Sequence, residues 1–323
     1  MTAARQIVPG RTYLLTRRCT QRLMLLRPDA KVEQIYLYCL GDAAARYHVT
    51  IHAFVAMSNH QHVLVRDNLG NFPEFLAHFH KLVAKAMNAR LDRKENFWSS
   101  EQPNAVYVVG PEDRFAKLVY VLANPVAEHL VDRVSEWPGA SSLSLSLSGR
   151  TMTVRRPSYF RSNGPMPETV TLELERPDGF GELPQQEWAS RIVEALRAVE
   201  ARAREVRAEL GRRVLGRKAV LRASPTDQPR TAETAHRLRP SIACKDGVRR
   251  GLELARLAAF RLARAAARLR LLAEGRAEFP DGTYLVRWGL HAFRVQERAT
   301  RSWVAVCEVA KVGLATSPPL ELA

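Results

Sequence analysis

The sequence has few cysteines, and none of them are paired in a metal-binding spacing. Its four cysteines, at positions 19, 39, 244 and 307, form no CxxC pair, which argues against a zinc ribbon and against a disulfide framework. No apolar run approaches the ~18 residues that a membrane span requires, and the N-terminus lacks a charged-then-apolar leader. We therefore expect a bacterial-type cytoplasmic protein with no membrane partner.

Acidic residues are scarce relative to basic ones. The 323 residues include 49 Lys and Arg against 33 Asp and Glu, which gives a formal net charge of +16. The apolar fraction of 46% and the charged fraction of 25% are those of an ordinary globular protein. Because each basic group placed on a phosphate releases a condensed counterion, the surplus predicts a nucleic acid as the partner. An anionic membrane surface is the less favoured alternative.

The order of predicted elements indicates the fold of the first 150 residues. Strand-like sequence occupies 11–21, 49–56, 60–66 and 105–109, whereas helical spacing occupies 29–40 and 72–91, and a further helix starts at 110–113. This order predicts an α+β fold, a ferredoxin-like split βαβ antiparallel sheet with helices on one face. The helix that starts at 110–113 is then appended to the sheet.

The composition changes beyond residue 150. We predict an Arg-rich, mostly helical and basic C-terminal extension over 151–323, with helices over 185–209 and 245–274 and a strand over 283–288. Two shorter segments are also predicted: the alternating Ser and Leu of 141–148 indicate an edge strand or a linker, and 224–240 a loop.

Two histidines are candidate metal ligands. His60 and His62 lie two apart on a predicted strand, so their side chains share a face and can converge on one cation. Imidazole suits several divalent ions, and an oxygen-rich remainder of the shell would favour magnesium or manganese. An isolated pair of this kind is more often structural or simply exposed.

A tyrosine and an asparagine are the second candidate pair. Tyr120 and Asn124 lie four apart on a predicted helix over 115–123 and therefore share a face. Tyr120 can supply a nucleophilic oxygen while Asn124 places its carbonyl oxygen on the same metal. The alternative is a tyrosine packed on the helix and an asparagine capping its end, with Pro125 ending the helix directly behind it.

Three segments resemble motifs of the single-tyrosine HUH transposases. Residues 57–64 (MSNHQHVL) resemble the (M)PNHxHLL motif, 120–126 (YVLANPV) resemble the YxxxNPV helix, and 136–142 (EWPGASS) resemble the WPxSS segment. They occur in the order and spacing of the family, over roughly residues 8–145. The REP-associated tyrosine transposases, with their IS200-like transposase domain, are the branch that the sequence resembles most.

The resemblance implies a catalytic domain over 1–150 that cuts single-stranded or hairpin DNA. His60 and His62 would bind a divalent metal, Mg²⁺ or Mn²⁺, and Asn124 is a candidate third ligand. Tyr120 would attack the scissile phosphate, leaving a 5′-phosphotyrosine link and a free 3′-hydroxyl. One residue departs from the family: the middle position of the histidine motif is usually bulky and apolar, but here it is Gln61. This departure indicates either a decayed copy or a more solvated strand face.

Basic and aromatic residues outside these motifs are candidate DNA contacts. Near the first strand the candidates are Arg17, Arg18 and Arg22, before the fourth strand Trp98, and in the extension Arg212, Arg213, Arg217 and Lys218. Arginines can bind phosphates, and the ring of Trp98 can stack on an unpaired base. The alternatives are a solvated strand edge for the first arginines, packing over the sheet edge for Trp98, and a solvated helix for the basic cluster.

Three functions follow from these residues. The leading hypothesis is a metal-dependent transposase or strand transferase that acts through Tyr120. The alternatives are a domesticated, catalytically inactive DNA-binding protein and a histidine-metal hydrolase that uses water. The sequence leaves open whether the protein is a monomer or a homodimer, and whether Tyr120 serves its own subunit or a partner.

Overall fold

A computed structural model of the protein describes residues 4–229, 231, 240–288, 291–294, 296–297 and 305–308. It divides into a larger unit, Pro9–Arg250, and a smaller one formed by Met1–Val8 with Gly251–Ala323. The larger unit starts with β1 (Arg11–Arg18), α1 (Ala30–Tyr47), β2 (Val49–Ala56), β3 (His60–Asp67), α2 (Phe72–Arg90), β4 (Asn104–Val108) and α3 (Pro111–Ala127). It continues with α4 (Leu143–Ser148), β5 (Met152–Arg155), β6 (Thr169–Leu172), α5 (Gln185–Glu209), α6 (Arg217–Arg222) and β7 (Ile242–Ala243).

The first six elements form the ferredoxin-like arrangement that the sequence predicts. The strand order is β2-β3-β1-β4-β7. The β2–β3, β3–β1 and β1–β4 pairs are antiparallel, and β7 adds to the far edge in parallel with β4. The predicted α+β fold is therefore confirmed, and only the short β7 strand was not expected.

The two faces of the sheet carry different helices. On one face, α1 packs against α2, and rings such as Tyr13 and Phe72 lie with their centroids 4.5 Å apart. On the other face, α3 covers alternate strand residues such as Leu14, Leu64 and Val106, which belong to one buried cluster with α3. The appended helix therefore lies opposite the two helices of the ferredoxin-like core.

Capping residues determine where the helices begin. Asp29 accepts hydrogen bonds from the backbone amides of Lys31 and Val32, which satisfies two free donors at the start of α1. α3 begins with Pro111, and Asp113 accepts from the amide of Gly110. The prediction that Pro125 ends α3 directly behind Asn124 is wrong, because the helix continues to Ala127 with the proline in its last turn. Near a helix end, the missing amide of proline removes only one ladder hydrogen bond.

Residues beyond 150 add mainly helices, as the sequence predicts. The helices over 185–209 and 245–274 are confirmed as α5 and as α7 (Gly247–Glu274). α5 packs on α3 through buried residues such as Trp188 and Ile192. In packing, the segment from residue 151 to Arg250 thus belongs to the same unit as the sheet. The division at residue 150 into a catalytic domain and an extension remains a prediction about function.

The segment 141–148 is a helix and not the predicted edge strand or linker. α4 spans Leu143–Ser148 and ends at Gly149, which has the left-handed φ of 65° that favours glycine. Leu145 is buried, and Leu143 and Leu147 pack against the core cluster, so each leucine has an apolar contact although the spacing is two. In six residues, that spacing does not distinguish a strand from a short helix whose sides are all covered.

The smaller unit combines α7 with short strands. These are β8 (Arg276–Phe279), β9 (Leu285–Trp288), β10 (His291–Arg294), β11 (Gln296–Glu297) and β12 (Ala305–Glu308). They form a three-stranded sheet, β11-β12-β8, and a β9–β10 hairpin, which confirms the predicted strand over 283–288. Of the predicted loop over 224–240, residues 230 and 232–239 lie outside the described residues.

None of the helices among the described residues is both long enough and apolar enough to cross a membrane.

Gln61 is fully buried and hydrogen-bonded, so the face on which it lies is not a solvated one. Its carbonyl oxygen accepts from the Tyr36 hydroxyl at 3.0 Å, and its amide nitrogen lies 3.3 Å from Nε2 of His80. Burial lowers the pKa of His80 to about 3, so the ring is neutral and can accept this hydrogen bond. The polar residue in the middle of the histidine motif therefore has partners on the α1–α2 face.

We predict that Gln61→Leu lowers the free energy of unfolding by about 1–3 kcal/mol, because it leaves two buried polar groups without partners. Urea unfolding measures this change. Adding Tyr36→Phe to Gln61→Leu should recover part of the lost stability, since it removes the Tyr36 hydroxyl that no longer has a hydrogen-bond partner. Gln102→Leu, at an exposed position, is the matched control. Equal stability of Gln61→Leu and the unaltered protein would contradict the prediction.

Candidate active site

His60 and His62 lie side by side on the face of the sheet that α3 covers. In the strand register, His60 is opposite Arg18 and His62 is opposite Thr16, both on β1. The two imidazole ring centroids are 4.9 Å apart, with the ring planes nearly perpendicular. His62 is buried, and His60 is half-buried at the start of β3. The alternation of side chains along a strand therefore brings the two rings together, as predicted.

Each histidine has a neighbour at its Nδ1 atom. His60 Nδ1 lies 2.7 Å from Oδ1 of Asn59, and His62 Nδ1 lies 2.8 Å from Oγ1 of Thr16. Asn59 Oδ1 can only accept, so His60 carries its proton on Nδ1. The same tautomer of His62 donates to Thr16. In that tautomer Nε2 carries the lone pair of the ring, which is how outer hydrogen bonds orient imidazoles for a metal.

Both histidines are neutral at physiological pH. Burial lowers the pKa of His60 to about 4, against a smaller opposing effect of the neighbouring Asn124 side chain and with an added lowering from the charge of Arg18. Burial, His60 and Lys117 hold the pKa of His62 well below its ordinary value. A metal ligand must be deprotonated, so the surroundings of the pair suit metal binding without any loss of protons.

Tyr120 faces His62 from α3. The centroids of their rings are 5.4 Å apart. Tyr120 is 42% exposed, although most residues of α3 around it are buried, so its ring is open to solvent at one side. One turn further along the helix, Asn124 is 2% exposed and interacts with both Tyr120 and His60. The predicted pairs are thus brought together within a single chain.

The phenol of Tyr120 is protonated at neutral pH in this environment. Burial raises its pKa above the ordinary value, and the negative charge of Glu128 raises it further, whereas the hydrogen bond with Asn124 lowers it. Lys117, one turn earlier on α3, lies with its Nζ 5.3 Å from the centroid of the Tyr120 ring. Lys117 is therefore a positive charge close to the Tyr120 ring.

The donor atoms around the pair fit a divalent cation. Oδ1 of Asn124 is buried and forms no hydrogen bond, so it is an oxygen donor without a partner beside two neutral imidazoles. Within the described part of the chain, no three histidine, cysteine or carboxylate side chains gather into a metal site. A metal at His60, His62 and Asn124 would therefore retain open positions for water or substrate, which is the pattern of a catalytic site.

The arginines near β1 have different surroundings. Arg17 is half-buried and donates to the carbonyls of Ser99 and Glu101, each at 2.7 Å, so most of its guanidinium is used within the protein. Arg22 donates to Thr231 at 2.7 Å and 3.0 Å. Arg18 lies closest to the candidate site, since its charge acts on His60. A phosphate contact by any of the three remains a prediction.

Trp98 is packed in the interior. It is 7% exposed, its indole nitrogen donates to the carbonyl of His80 at 2.8 Å, and its ring lies against Phe97. It therefore has little surface for a nucleic-acid base, and the packing alternative describes its position. The basic cluster of the extension is, in contrast, exposed: this holds for Arg212, Arg213, Arg217 and Lys218.

Sequence reasoning missed two residues of the site. Lys117 precedes Tyr120 by three residues, and helical spacing alone was enough to place it on the same side of α3. Thr16 is 46 residues from His62, and only the register of β1 against β3 brings the two together. No signal in the sequence indicates that register before the sheet is known.

Comparison with family models and with curated proteins gives no match. Among solved structures, the chain is similar to a REP-associated tyrosine transposase bound to a REP hairpin, with a TM-score of 0.40 and 19% identity over 46% of this chain and 86% of that chain. It is also similar to a transposase described as putative from Deinococcus radiodurans R1, with a TM-score of 0.28 and 18% identity over 36% of this chain and 93% of that chain. Both are described as transposases, and at these TM-scores neither the activity nor any residue's role is taken from them.

We predict that Thr16→Val lowers the affinity for Mn²⁺ about 10–100-fold, because the hydroxyl that orients His62 is lost while the shape is kept. His62→Ala should abolish measurable binding. Isothermal titration calorimetry of the full chain with Mn²⁺ alone measures both. Thr153→Val, at an exposed position of β5, is the matched control. Unchanged Mn²⁺ affinity of Thr16→Val would show that this contact does not position a ligand.

Proposed function

We propose that the protein is a transposase-like strand transferase that cuts single-stranded or hairpin DNA with Tyr120 as nucleophile. The observation that carries the proposal is the meeting of three side chains from two elements. The ring centroid of Tyr120 on α3 is 5.4 Å from the ring centroid of His62 on β3, which is 4.9 Å from that of His60 on the same strand. The net charge of +16 is consistent with a DNA substrate.

The reaction is a transfer of the phosphodiester to the protein. The hydroxyl oxygen of Tyr120 attacks phosphorus, a bond from that oxygen to phosphorus forms, and the bond from phosphorus to the 3′ oxygen breaks. The phenol loses its proton, and the leaving 3′ oxygen takes one up as a hydroxyl. The product is a 5′-phosphotyrosine link, which conserves the energy of the broken bond, so that a second strand end can later be joined.

His60, His62 and Asn124 are the residues that would hold the divalent metal, Mg²⁺ or Mn²⁺. When bound, such an ion offsets negative charge on the phosphate oxygens and stabilises the leaving group. Thr16 and Asn59 orient the two imidazoles through their Nδ1 atoms. The half-exposed ring of Tyr120 leaves one side of the site open, where a strand of DNA can enter.

Activation of Tyr120 requires positive charge near its oxygen, because burial and Glu128 raise its pKa. A phenol is a weak nucleophile unless such a charge or a base favours the phenolate. Lys117 supplies one charge, and the amide of Asn124 supplies a hydrogen bond that lowers the pKa.

The alternative of a catalytically inactive, DNA-binding protein was motivated by Gln61. This residue points to the α1–α2 face, where Tyr36 and His80 satisfy it, and it leaves the His60–His62 pair undisturbed. The intact geometry of the site therefore favours the enzyme.

We predict that the full chain forms a covalent adduct with a labelled DNA hairpin carrying single-stranded flanks when Mn²⁺ is present, and that Tyr120→Phe abolishes it. Denaturing gel electrophoresis detects the adduct, and detection of phosphotyrosine in the adduct identifies the link. His62→Ala should reduce the adduct strongly, and Tyr159→Phe is the control. Absence of the adduct in the unaltered protein, or its persistence in Tyr120→Phe, rules out the proposal.

The same assay separates the other functions. Cleavage that survives Tyr120→Phe and leaves no protein–DNA link would identify a metal hydrolase that uses water. Salt-dependent binding without any cleavage would identify an inactive DNA-binding protein.

We also predict that Lys117→Gln slows adduct formation roughly 10-fold at neutral pH. A unit charge about 5 Å from the Tyr120 ring is worth about 1–1.5 kcal/mol at intermediate dielectric. Loss of this charge raises the pKa of the phenol, so the rate–pH profile should move to higher pH. Lys117→Arg should retain most of the rate, and Lys81→Gln, exposed on α2, is the control. An unshifted pH profile in Lys117→Gln would mean that Lys117 does not act on Tyr120.

A further inference from the structure

A basic segment from the extension is attached directly behind the helix that carries Tyr120. We call residues 211–222 the basic strap; it comprises the turn after α5 and helix α6. The amide of Leu215 donates to the carbonyl of His129 at 3.0 Å, and that of Gly216 donates to the carbonyl of Leu130 at 2.9 Å. Both acceptors directly follow α3, so the strap begins at the end of the Tyr120 helix.

The other end of the strap reaches the loop that supports the histidines. Arg27 donates to the carbonyl of Leu221 at 3.3 Å. This loop, residues 19–27, is in turn bonded to the turn before β3: the amide of Cys19 donates to Asn59 and that of Leu26 to Ser58, each at 2.8 Å. The strap thus runs from the end of the nucleophile's helix to the loop beside the start of the histidine strand.

The strap carries positive charge only. It contains five basic residues and no acidic one: Arg212, Arg213, Arg217, Lys218 and Arg222. All five are exposed. Arg217 donates to the carbonyl of Glu136 at 3.1 Å, and no ion pair with a carboxylate is found for any of the five within the described residues. A row of solvated cations without acidic partners is the form of a phosphate-binding surface.

The acidic side chains beside the strap are mostly engaged elsewhere. Asp132 forms an ion pair with Arg207, a buried residue of α5. Glu136 accepts hydrogen bonds from the amides of Asp132 and Arg133. Glu128 is the acidic residue nearest Tyr120 that acts through its charge. Of these three acidic neighbours, only Asp132 is ion-paired with an arginine in the part of the chain that the structure describes, and the five cations of the strap outnumber the remaining two carboxylates.

We propose that the basic strap forms one edge of the DNA path, and that it binds the phosphate backbone of the strand next to the bond that Tyr120 attacks. This inference rests on the proposed function and adds the contact surface for the substrate. Contacts to the phosphate backbone carry no sequence information directly, so we expect the contribution of the strap to be independent of sequence. Lys117 and Arg18 continue the positive charge toward the histidine pair.

The test replaces three strap cations that make no hydrogen bond within the described residues: Arg212→Gln, Arg213→Gln and Lys218→Gln together. The parent protein carries Tyr120→Phe, so binding is measured without covalent capture. The probe is a labelled DNA hairpin with single-stranded flanks, titrated by fluorescence anisotropy at several salt concentrations. The matched control is Arg46→Gln, Arg155→Gln and Arg161→Gln, which removes three exposed charges from α1 and the neighbouring β5 region.

We expect the strap variant to bind on the order of 10-fold more weakly at ~0.1 M salt. The slope of log affinity against log salt should become shallower by about two, at ~0.7 for each single-strand phosphate contact that is lost. The control should change neither quantity. Equal changes in affinity in both variants would show that only the net charge of the protein matters, which would overturn the proposal. Unchanged binding by the strap variant would also overturn it.

Failure of the strap proposal can be distinguished from failure of the proposed function. If the parent binds the hairpin and the strap variant has the same salt slope, the strap proposal alone is overturned. If the parent binds no DNA, the proposed function falls and the strap proposal with it. Matching thermal unfolding curves for the parent and both variants are required, so that weaker binding is not a consequence of misfolding.

Discussion

The site depends on the register of β3 in the sheet. Side chains alternate along a strand, so His60 and His62 face α3 while Gln61 faces α1 and α2. A slip of one residue would exchange these faces and place a buried glutamine opposite Tyr120. Apolar neighbours on both faces, together with the bond from Thr16 to His62, fix the register. The chemistry at the site is therefore set by the packing of the whole sheet.

Much of this arrangement was predictable from the sequence because it rests on local patterns. Strands of alternating or continuous apolar residues and helices with clear spacing gave the first seven elements, and the spacing of His60 with His62 and of Tyr120 with Asn124 gave each pair its shared face. The remainder depends on contacts between distant segments. The partners of Gln61, the role of Thr16 and the burial of Trp98 all follow from tertiary packing. The helix over 143–148 was missed because its leucines are covered on several sides, which removes the periodicity of a surface helix.

The electrostatic surroundings of the site affect its imidazoles and its phenol differently. Burial keeps both imidazoles neutral, so they are suited to be ligands rather than proton donors. The same burial makes the phenol of Tyr120 a poorer acid. The hydrogen bond from Asn124 acts in the opposite direction, and Lys117 places its Nζ 5.3 Å from the centroid of the Tyr120 ring. Under the proposed function, the tyrosine would stay protonated and unreactive until a cation and a bound phosphate favour loss of its proton.

The unpartnered amide oxygen of Asn124 has a consequence for the stability of the protein itself. A buried oxygen without a hydrogen bond costs about 1–3 kcal/mol in the free protein. A cation that takes this oxygen as a ligand removes that cost, and because it binds the folded chain in preference to the unfolded one, it also favours folding by mass action. If His60, His62 and Asn124 hold the metal as proposed, occupancy of the site and resistance to unfolding would thereby be linked, and the metal-free protein would be the more readily proteolysed form.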